Sequence, residues 1–266
     1  MNSPQVPADK DSAQGTFESS STRRDFPRPL RIRSLVPAGL VALLAIAMIP
    51  FANHVDGTIG RFVGTLPIDP YSAATKQVSN PVTVLLIAAT IWLLDRRRRA
   101  SLAVLLVALL LAIVINEGMK QITGRARPTY GIEMGDGQKK KVISYLKEHP
   151  DAPIHPEAVD QWVGLHERQS FAPDPYGSFP SGHANAAFVL ATYLSVLYPE
   201  AGMVWYFVAV GCGVARIEER RHYTTDVLFG AATGWIIAQI VFSWTWPARL
   251  GKRFFERDIR AKIQNS

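Results

Sequence analysis

Apolar residues gather in six blocks along the chain, separated by short polar segments and one long one. The blocks run from about Leu35 to Asn53, Pro81 to Leu94, Ala100 to Met119, Ala184 to Pro199, Ala201 to Ala215 and Val227 to Trp246. A helix that crosses a membrane needs ~20 apolar residues, and two of the blocks reach that length. A single short block also fits a buried helix of a soluble protein. Six in series predict an all-α, polytopic membrane bundle with six transmembrane helices.

The segments outside the blocks predict a simple domain organisation. Residues 1–33 are polar and end in a cluster of arginines, which predicts a disordered basic tail. Residues 34–247 form the predicted transmembrane domain, with the polar segment 129–178 as a long loop, and residues 248–266 form a second basic tail. A cleaved signal peptide ending near Ala45-Ile46-Ala47 is disfavoured, because that site falls inside the first apolar run.

The chain carries a net charge of +7 with 48% hydrophobic residues. Its basic residues flank the apolar blocks and form no continuous stripe, which favours a membrane protein and no nucleic-acid partner. The single cysteine, Cys212, excludes a disulfide within the chain. Lys and Arg crowd both tails and the turn Asp95–Arg99, so these segments are predicted to be cytoplasmic and the long loop to face outward.

Three polar clusters stand at span ends on the predicted outer face: residues 120–128, 178–184 and 214–230. Lys120, Arg127 and Arg216 are cations that could converge on one anion, and the planar fork of Arg suits phosphate oxygens. Ser181 is a candidate N-cap, and Gly182 lets backbone N–H groups approach a phosphate at the helix start. These clusters predict an anion site, with phosphate as the fitting anion.

Two histidines complete this predicted site. His183 lies in the first turn of the fourth block. His222 and Asp226 are four residues apart, which on a helix places both on one face, so the carboxylate could hold one ring nitrogen and leave the other as a nucleophile or base. With the cations, they predict phosphoryl transfer without a metal, in which one histidine attacks phosphorus and the other protonates the leaving oxygen.

The three motifs together resemble the signature of the type 2 phosphatidic acid phosphatase (PAP2) superfamily. They are Lys-x6-Arg-Pro (120–128), Pro-Ser-Gly-His (180–183) and Arg-x5-His-x3-Asp (216–226), and the resemblance covers about residues 35–246. It implies a PAP2/haloperoxidase-like helical core without cofactor. It also implies that His222 is the nucleophile, Asp226 its orienter and His183 the general acid. The implied phosphate ligands are Lys120, Arg127, Ser181, Gly182 and Arg216. Ala215 departs from the usual Ser and removes one possible hydroxyl contact.

The remaining charges near these motifs receive ordinary interpretations. Arg125, Arg220 and Arg221 are expected to be solvated or to touch lipid headgroups, with Glu218 and Glu219 balancing them. Glu117 lies one turn before Lys120 and is expected to pair with it or with another cation.

The leading hypothesis is a lipid phosphatase acting at the outer leaflet of a bacterial-type inner membrane, where it meets a membrane lipid phosphate or prenyl diphosphate. Candidate lipids also include phosphatidate-like and phosphatidylglycerophosphate-like molecules and lipid A. A phosphotransferase that passes the phosphoryl group to a second lipid is the nearest alternative. A non-catalytic anion-binding or transport protein would not need a nucleophile with an orienter. A vanadium haloperoxidase is disfavoured because those enzymes are soluble. The oligomeric state is left open.

Overall fold

The computed structural model describes residues 32–49, 58–59, 62–63, 66–128 and 177–264. Within these residues the regular structure is helical and contains no β-strand. The bounded helices are α1 (Ile32–Ala47), α2 (Asp69–Thr75), α3 (Pro81–Leu94), α4 (Leu102–Thr123), α5 (Gly182–Leu197), α6 (Gly202–Glu218), α7 (Thr224–Ser243) and α8 (Thr245–Gln264). Each of the six apolar blocks therefore contributes a helix, as the hydropathy pattern predicts.

Three of these helical stretches are long and apolar enough to cross a membrane, namely Arg99–Thr123, Pro199–Glu218 and Thr224–Ser243. A fourth span arises if the pair Pro70–Ser79 and Pro81–Leu94, bent by 72°, counts as one. The apolar parts of α1 and α5 are shorter than a full span. The number of six crossings stays a prediction, because length and composition support three or four.

The described residues cover the predicted tails and the predicted long loop only in part. Residues 1–31 of the first tail, 129–176 of the loop and the last two residues lie outside them. The segment predicted as a basic C-terminal tail is helical as α8, which follows α7 after Trp244 alone. Gly251 of α8 packs directly on the backbone of Ala100, so α8 is fixed at the start of α4.

Helix α5 is the centre of the bundle and packs against α4, α6 and α7. Its side chains Val189, Leu190 and Tyr193 join Val104 of α4 and Val241 of α7 in the main core. In contrast, α4 and α6 also expose large apolar side chains outward: Leu106, Leu110, Ile113, Val114, Met203, Val204, Phe207 and Val210. Such outward apolar surface suits the hydrocarbon of a bilayer, which solvates it without cost.

Helices α5 and α7 cross in backbone contact at one end. A Cβ on Gly230 would lie 2.5 Å from the carbonyl oxygen of Ser181, and one on Gly234 would overlap the backbone of Asn185. The N–H of Ser181 also donates to the carbonyl of Asp226 at 3.0 Å. The glycines thus bring the N-terminus of α5 against the first turn of α7, which is where the polar motifs lie.

Candidate active site

Backbone hydrogen bonds join the three polar clusters into one site. The N–H of Ser178 donates to the carbonyl of Arg125 at 3.0 Å, and Ser181 bonds to Asp226 as described above. The guanidinium of Arg127 donates to the carbonyl of Arg221 at 3.2 Å. The end of α4, the start of α5 and the α6–α7 link therefore meet, as the placement at span ends predicts.

The first turn of α5 has the form of an anion cradle. Ser181 is the N-cap in an extended conformation, and its Oγ accepts from the N–H of Ala184 at 3.5 Å. Gly182 has the amide of Asn116 and the ammonium of Lys120 beside it, 3.1 and 3.6 Å from where a Cβ would stand. A cation thus stands next to the N–H groups of a helix N-terminus, an arrangement that attracts phosphate.

Two of the predicted cations have carboxylate partners. Lys120 pairs with Glu117 at 2.6 Å, one of the partners expected from the sequence. Arg216 pairs with Glu219 at 3.0 Å, and Glu219 also contacts Lys76 at 3.3 Å. The buried Nε of Arg216 has no acceptor, which leaves a donor for an incoming anion.

His183 lies close to all of the predicted phosphate-binding cations. The residue as a whole is exposed to solvent, but neighbouring protein atoms surround much of its imidazole ring. This partial burial, followed by the charges of Arg216, His222, Lys120 and Arg127, lowers the pKa of His183 to about 4. These effects put Arg216, His222, Lys120 and Arg127 within electrostatic reach of His183.

The nucleophile candidate His222 is buried and held by an unexpected partner. Its Nδ1 lies 2.7 Å from the carbonyl oxygen of Ser178 but 3.8 Å from Oδ2 of Asp226. Because 3.8 Å is too long for a hydrogen bond, the predicted direct bond between His222 and Asp226 is absent. Burial, followed by the charge of Arg127, lowers the pKa of His222, whereas the nearby Asp226 carboxylate and the bond to the Ser178 carbonyl oppose that shift.

The residue at which α7 begins explains why the spacing of four residues between His222 and Asp226 does not bring the two side chains into a direct hydrogen bond. Helix α7 begins at Thr224, so His222 precedes the helix and does not share a face with Asp226. Asp226 is instead the third residue of α7, and its Oδ2 accepts from the N–H of Tyr223 at 2.9 Å. A carboxylate at this position satisfies the open donors of a helix start.

Asp226 contacts Arg125 and Ser178, two residues of the polar clusters that are not among the predicted catalytic or phosphate-binding residues. Arg125 Nη1 lies 2.5 Å from Oδ1 of Asp226 and 2.7 Å from Oγ1 of Thr225. Ser178 Oγ donates to Oδ2 of Asp226 at 2.6 Å. The expectation that Arg125 is solvated is wrong, since its side chain is 0% exposed. A carboxylate buried in a helix needs a cation, and that requirement could have indicated Arg125.

One further expectation for the α6–α7 link is corrected, namely that Arg220 is solvated. Arg220 and Glu218 are buried, and Arg220 takes a left-handed conformation with φ of 53° that closes the turn after α6. Glu219 pairs with Arg216 and with Lys76. The link is therefore packed against the bundle, and burial there removes the solvation that the sequence suggested.

Among the described residues, no three or more His, Cys, Asp or Glu side chains form a group that could hold a metal ion. Ala215 is fully buried one residue before Arg216, so a serine in its place would add its hydroxyl to the protein interior.

Comparison with known proteins gives a family match and several partial relatives. The family model of the PAP2 superfamily matches residues 101–250 of this chain, a range that contains every site residue named above. Lipid A 1-phosphatase of Porphyromonas gingivalis is 39% identical over 67 residues, which are 24% of this chain and 15% of that protein. Bacitracin transport permease protein BcrC of Bacillus licheniformis is 36% identical over 70 residues, 26% of this chain and 34% of that protein.

A longer alignment joins the chain to lipid phosphate phosphatase 1 of Arabidopsis thaliana, 26% identical over 164 residues, 55% of this chain and 45% of that protein. The chain thus spans less than half the length of these curated relatives. The crystal structure of Aquifex aeolicus LpxE is a distant structural neighbour. It has a TM-score of 0.45 and 16% identity over 70% of this chain and 94% of that one.

Proposed function

Because the chain belongs to the PAP2 superfamily, we propose that it is a membrane lipid phosphatase that works through a phosphohistidine without a metal. One observation carries the proposal: His183 stands at the start of α5 within electrostatic reach of His222 and of three cations. Two imidazoles and a set of cations around one point are the groups that phosphoryl transfer requires.

The substrate phosphate would bind between the start of α5 and the cations. Lys120 and the N–H groups after Ser181 contact it from one side, and Arg127 and Arg216 supply guanidinium donors from the other. Arg216 exchanges its carboxylate partner Glu219 for phosphate oxygens. These donors stabilise the charge that develops on the equatorial oxygens, which is the role a metal ion fills in other phosphatases.

Each bond change then has a residue to serve it. The Nε2 of His222 forms a bond to phosphorus while the ester P–O bond breaks, and His183 gives its proton to the leaving oxygen. Water attacks the phosphohistidine next, the P–N bond breaks, and His183 accepts the proton of that water. The products are a dephosphorylated lipid and inorganic phosphate.

A lipid substrate follows from where the site lies relative to the apolar helices. The site occupies the ends of α4 and α6 and the start of α5, and α4 and α6 expose apolar side chains outward along their length. A lipid whose tail lies in the bilayer presents its phosphate at that height. The excess of Lys and Arg in both tails and in the turn Asp95–Arg99 supports an orientation with this face outside the cytoplasm and both termini inside.

The test is phosphate release by the purified protein from a panel of lipid phosphates and prenyl diphosphates, with and without excess EDTA. We expect release from at least one lipid, unchanged by EDTA and abolished in His222→Ala. The matched control is Arg97→Ala, because Arg97 is exposed at the opposite end of the bundle and should leave the rate unchanged. A rate that survives in His222→Ala, or one that EDTA abolishes, contradicts the proposal.

The same assay separates hydrolysis from phosphotransfer. Water is the acceptor if a single lipid releases inorganic phosphate at the full rate. Release that requires a second lipid, with the phosphoryl group recovered on it, assigns the phosphotransferase activity instead.

A further inference from the structure

The hydrogen-bond partner of His222 decides which of its nitrogens can act as the nucleophile. A carbonyl oxygen can only accept, so the Nδ1 of His222 at 2.7 Å from the Ser178 carbonyl must carry the proton. In the neutral ring Nε2 then holds the lone pair. Oδ2 of Asp226, 3.8 Å from Nδ1, is beyond hydrogen-bond distance, so its charge favours the same tautomer without a direct bond.

Ser178 is itself held by three hydrogen bonds that fix the direction of its carbonyl. Its N–H donates to the carbonyl of Arg125 at 3.0 Å, its hydroxyl donates to Oδ2 of Asp226 at 2.6 Å, and its carbonyl accepts from His222. A residue bound through its amide, its side chain and its carbonyl has little freedom to turn. Its side chain is also fully buried.

Arg125 and Asp226 together form the support of Ser178. Their ion pair of 2.5 Å is 0% exposed on both sides, and the Arg125 guanidinium also lies 4.0 Å from the centre of the Tyr223 ring. Arg125 supports Ser178 in two ways. Its backbone carbonyl accepts from the N–H of Ser178, and its guanidinium pairs with Asp226, the acceptor of the Ser178 hydroxyl. A buried carboxylate keeps its charge only with such a partner.

We infer that the Ser178 carbonyl selects Nε2 of His222 as the nucleophile, and that Arg125 and Asp226 are positioning residues that act through Ser178. This inference rests on the proposed function and refines the role of Asp226 in it. The carboxylate supports the loop that orients the nucleophile and makes no direct hydrogen bond to the imidazole.

Neutralising both members of the ion pair separates this role from a direct one. In Asp226→Asn alone, Arg125 becomes a buried cation without its counterion and Ser178 loses its acceptor, so kcat falls steeply. In Arg125→Gln/Asp226→Asn the net charge is that of the wild type, and the two amides can bond to each other and to Ser178. We expect kcat to be at least tenfold above that of Asp226→Asn. We also expect the acid limb of the pH profile of kcat/KM to lie at the same pH as in the wild type.

A double variant as slow as Asp226→Asn, with its acid limb moved to lower pH, overturns the inference, because the carboxylate would then act on His222 directly. A different result would contradict the proposed function itself, namely phosphate release that persists in His222→Ala.

Ser178→Ala supplies an independent test that does not disturb the ion pair. It removes only the hydroxyl bond to Asp226, so kcat should fall by about tenfold to a hundredfold with KM for the lipid unchanged. The matched control is Ser101→Ala, which removes a buried hydroxyl bonded to Tyr193 at 2.7 Å at the other end of α4 and should leave kcat unchanged. A wild-type kcat in Ser178→Ala overturns the inference even if the double variant does not fold.

Discussion

Clusters of arginine lie at both ends of helix α4, but the two clusters differ in burial and in bonding partners. At the start of α4, Arg96 and Arg97 are exposed, and Arg98 pairs with Asp95 at 2.8 Å while 40% of its side chain remains exposed. At the other end Arg125 is fully buried. Charge at the first end is solvated and can follow the rule for cytoplasmic loops. Charge at the second end is matched to specific acceptors, which indicates that it serves the site.

Stacking partners strengthen the contrast. Arg98 lies over Tyr198 at 4.3 Å and Arg99 over Trp92 at 5.2 Å, both near the polypeptide surface. Arg125 makes the same kind of contact with Tyr223 at 4.0 Å, but in the interior. Since a cation–π contact gains strength when water is excluded, the same chemistry contributes more at the site end.

The largest expected difference between the two ends concerns turnover. Arg216→Ala removes a donor to the transition state, and kcat/KM should fall by about 10²- to 10³-fold. Arg96→Ala removes an exposed arginine at the other end and should stay within about twofold of the wild type. Steady-state phosphate release from one lipid measures both. Equal losses in the two variants would show that the arginines act through general charge on the membrane surface.

The second difference concerns stability. Arg125→Leu leaves Asp226 as a buried charge without its partner and should destabilise the fold by about 3–5 kcal/mol. Arg98→Leu breaks a half-exposed pair and should cost about 1 kcal/mol or less. Thermal unfolding in the same detergent compares the two midpoints. A smaller shift for Arg125→Leu than for Arg98→Leu would contradict the assignment of Arg125 to the interior.

The sequence predicts much of this molecule because some features depend on local pattern alone. The apolar blocks determine where the helices lie, and the polar motifs at their ends predict that Lys120, His183 and Arg216 meet. The partner of Asp226 could not be predicted in the same way. It depends on α7 beginning between His222 and Asp226, and on a backbone crossing at Gly230 that brings Ser181 against Asp226. Burial of Arg125 is likewise a tertiary outcome, since it depends on an ion pair with Asp226, a residue 101 positions away in the sequence.

The third prediction concerns protons and follows from the low pKa of His183. At pH 7 an imidazole with a pKa of about 4 is neutral, whereas the proposed acid must carry a proton. A bound phosphate offsets the cations that lower this pKa, so the pKa should rise and the protein should take up to one proton on binding. The site should consequently bind phosphate less well as pH rises through the pKa of the bound state.

Calorimetry of phosphate or vanadate binding in buffers of different ionisation enthalpy measures that proton uptake. His183→Gln should bind the anion without it. The control at the other end is Arg97→Ala, which should show the uptake of the wild type. Binding without proton uptake in the wild-type protein would contradict the role of His183 as the acid.

The smallest expected effect comes from Glu219, the carboxylate that pairs with Arg216. Glu219 lies 3.0 Å from Arg216 and 3.3 Å from Lys76, so it competes with an incoming phosphate for the guanidinium. Glu219→Gln removes that competing charge and should tighten inhibition by inorganic phosphate by about threefold, in line with the modest strength of partly exposed ion pairs. Asp95→Asn makes the same change in the pair at the other end of α4 and should leave phosphate inhibition unaltered. Weaker inhibition in Glu219→Gln would mean that Glu219 holds Arg216 in its binding position, which would make the carboxylate a support of the phosphate site.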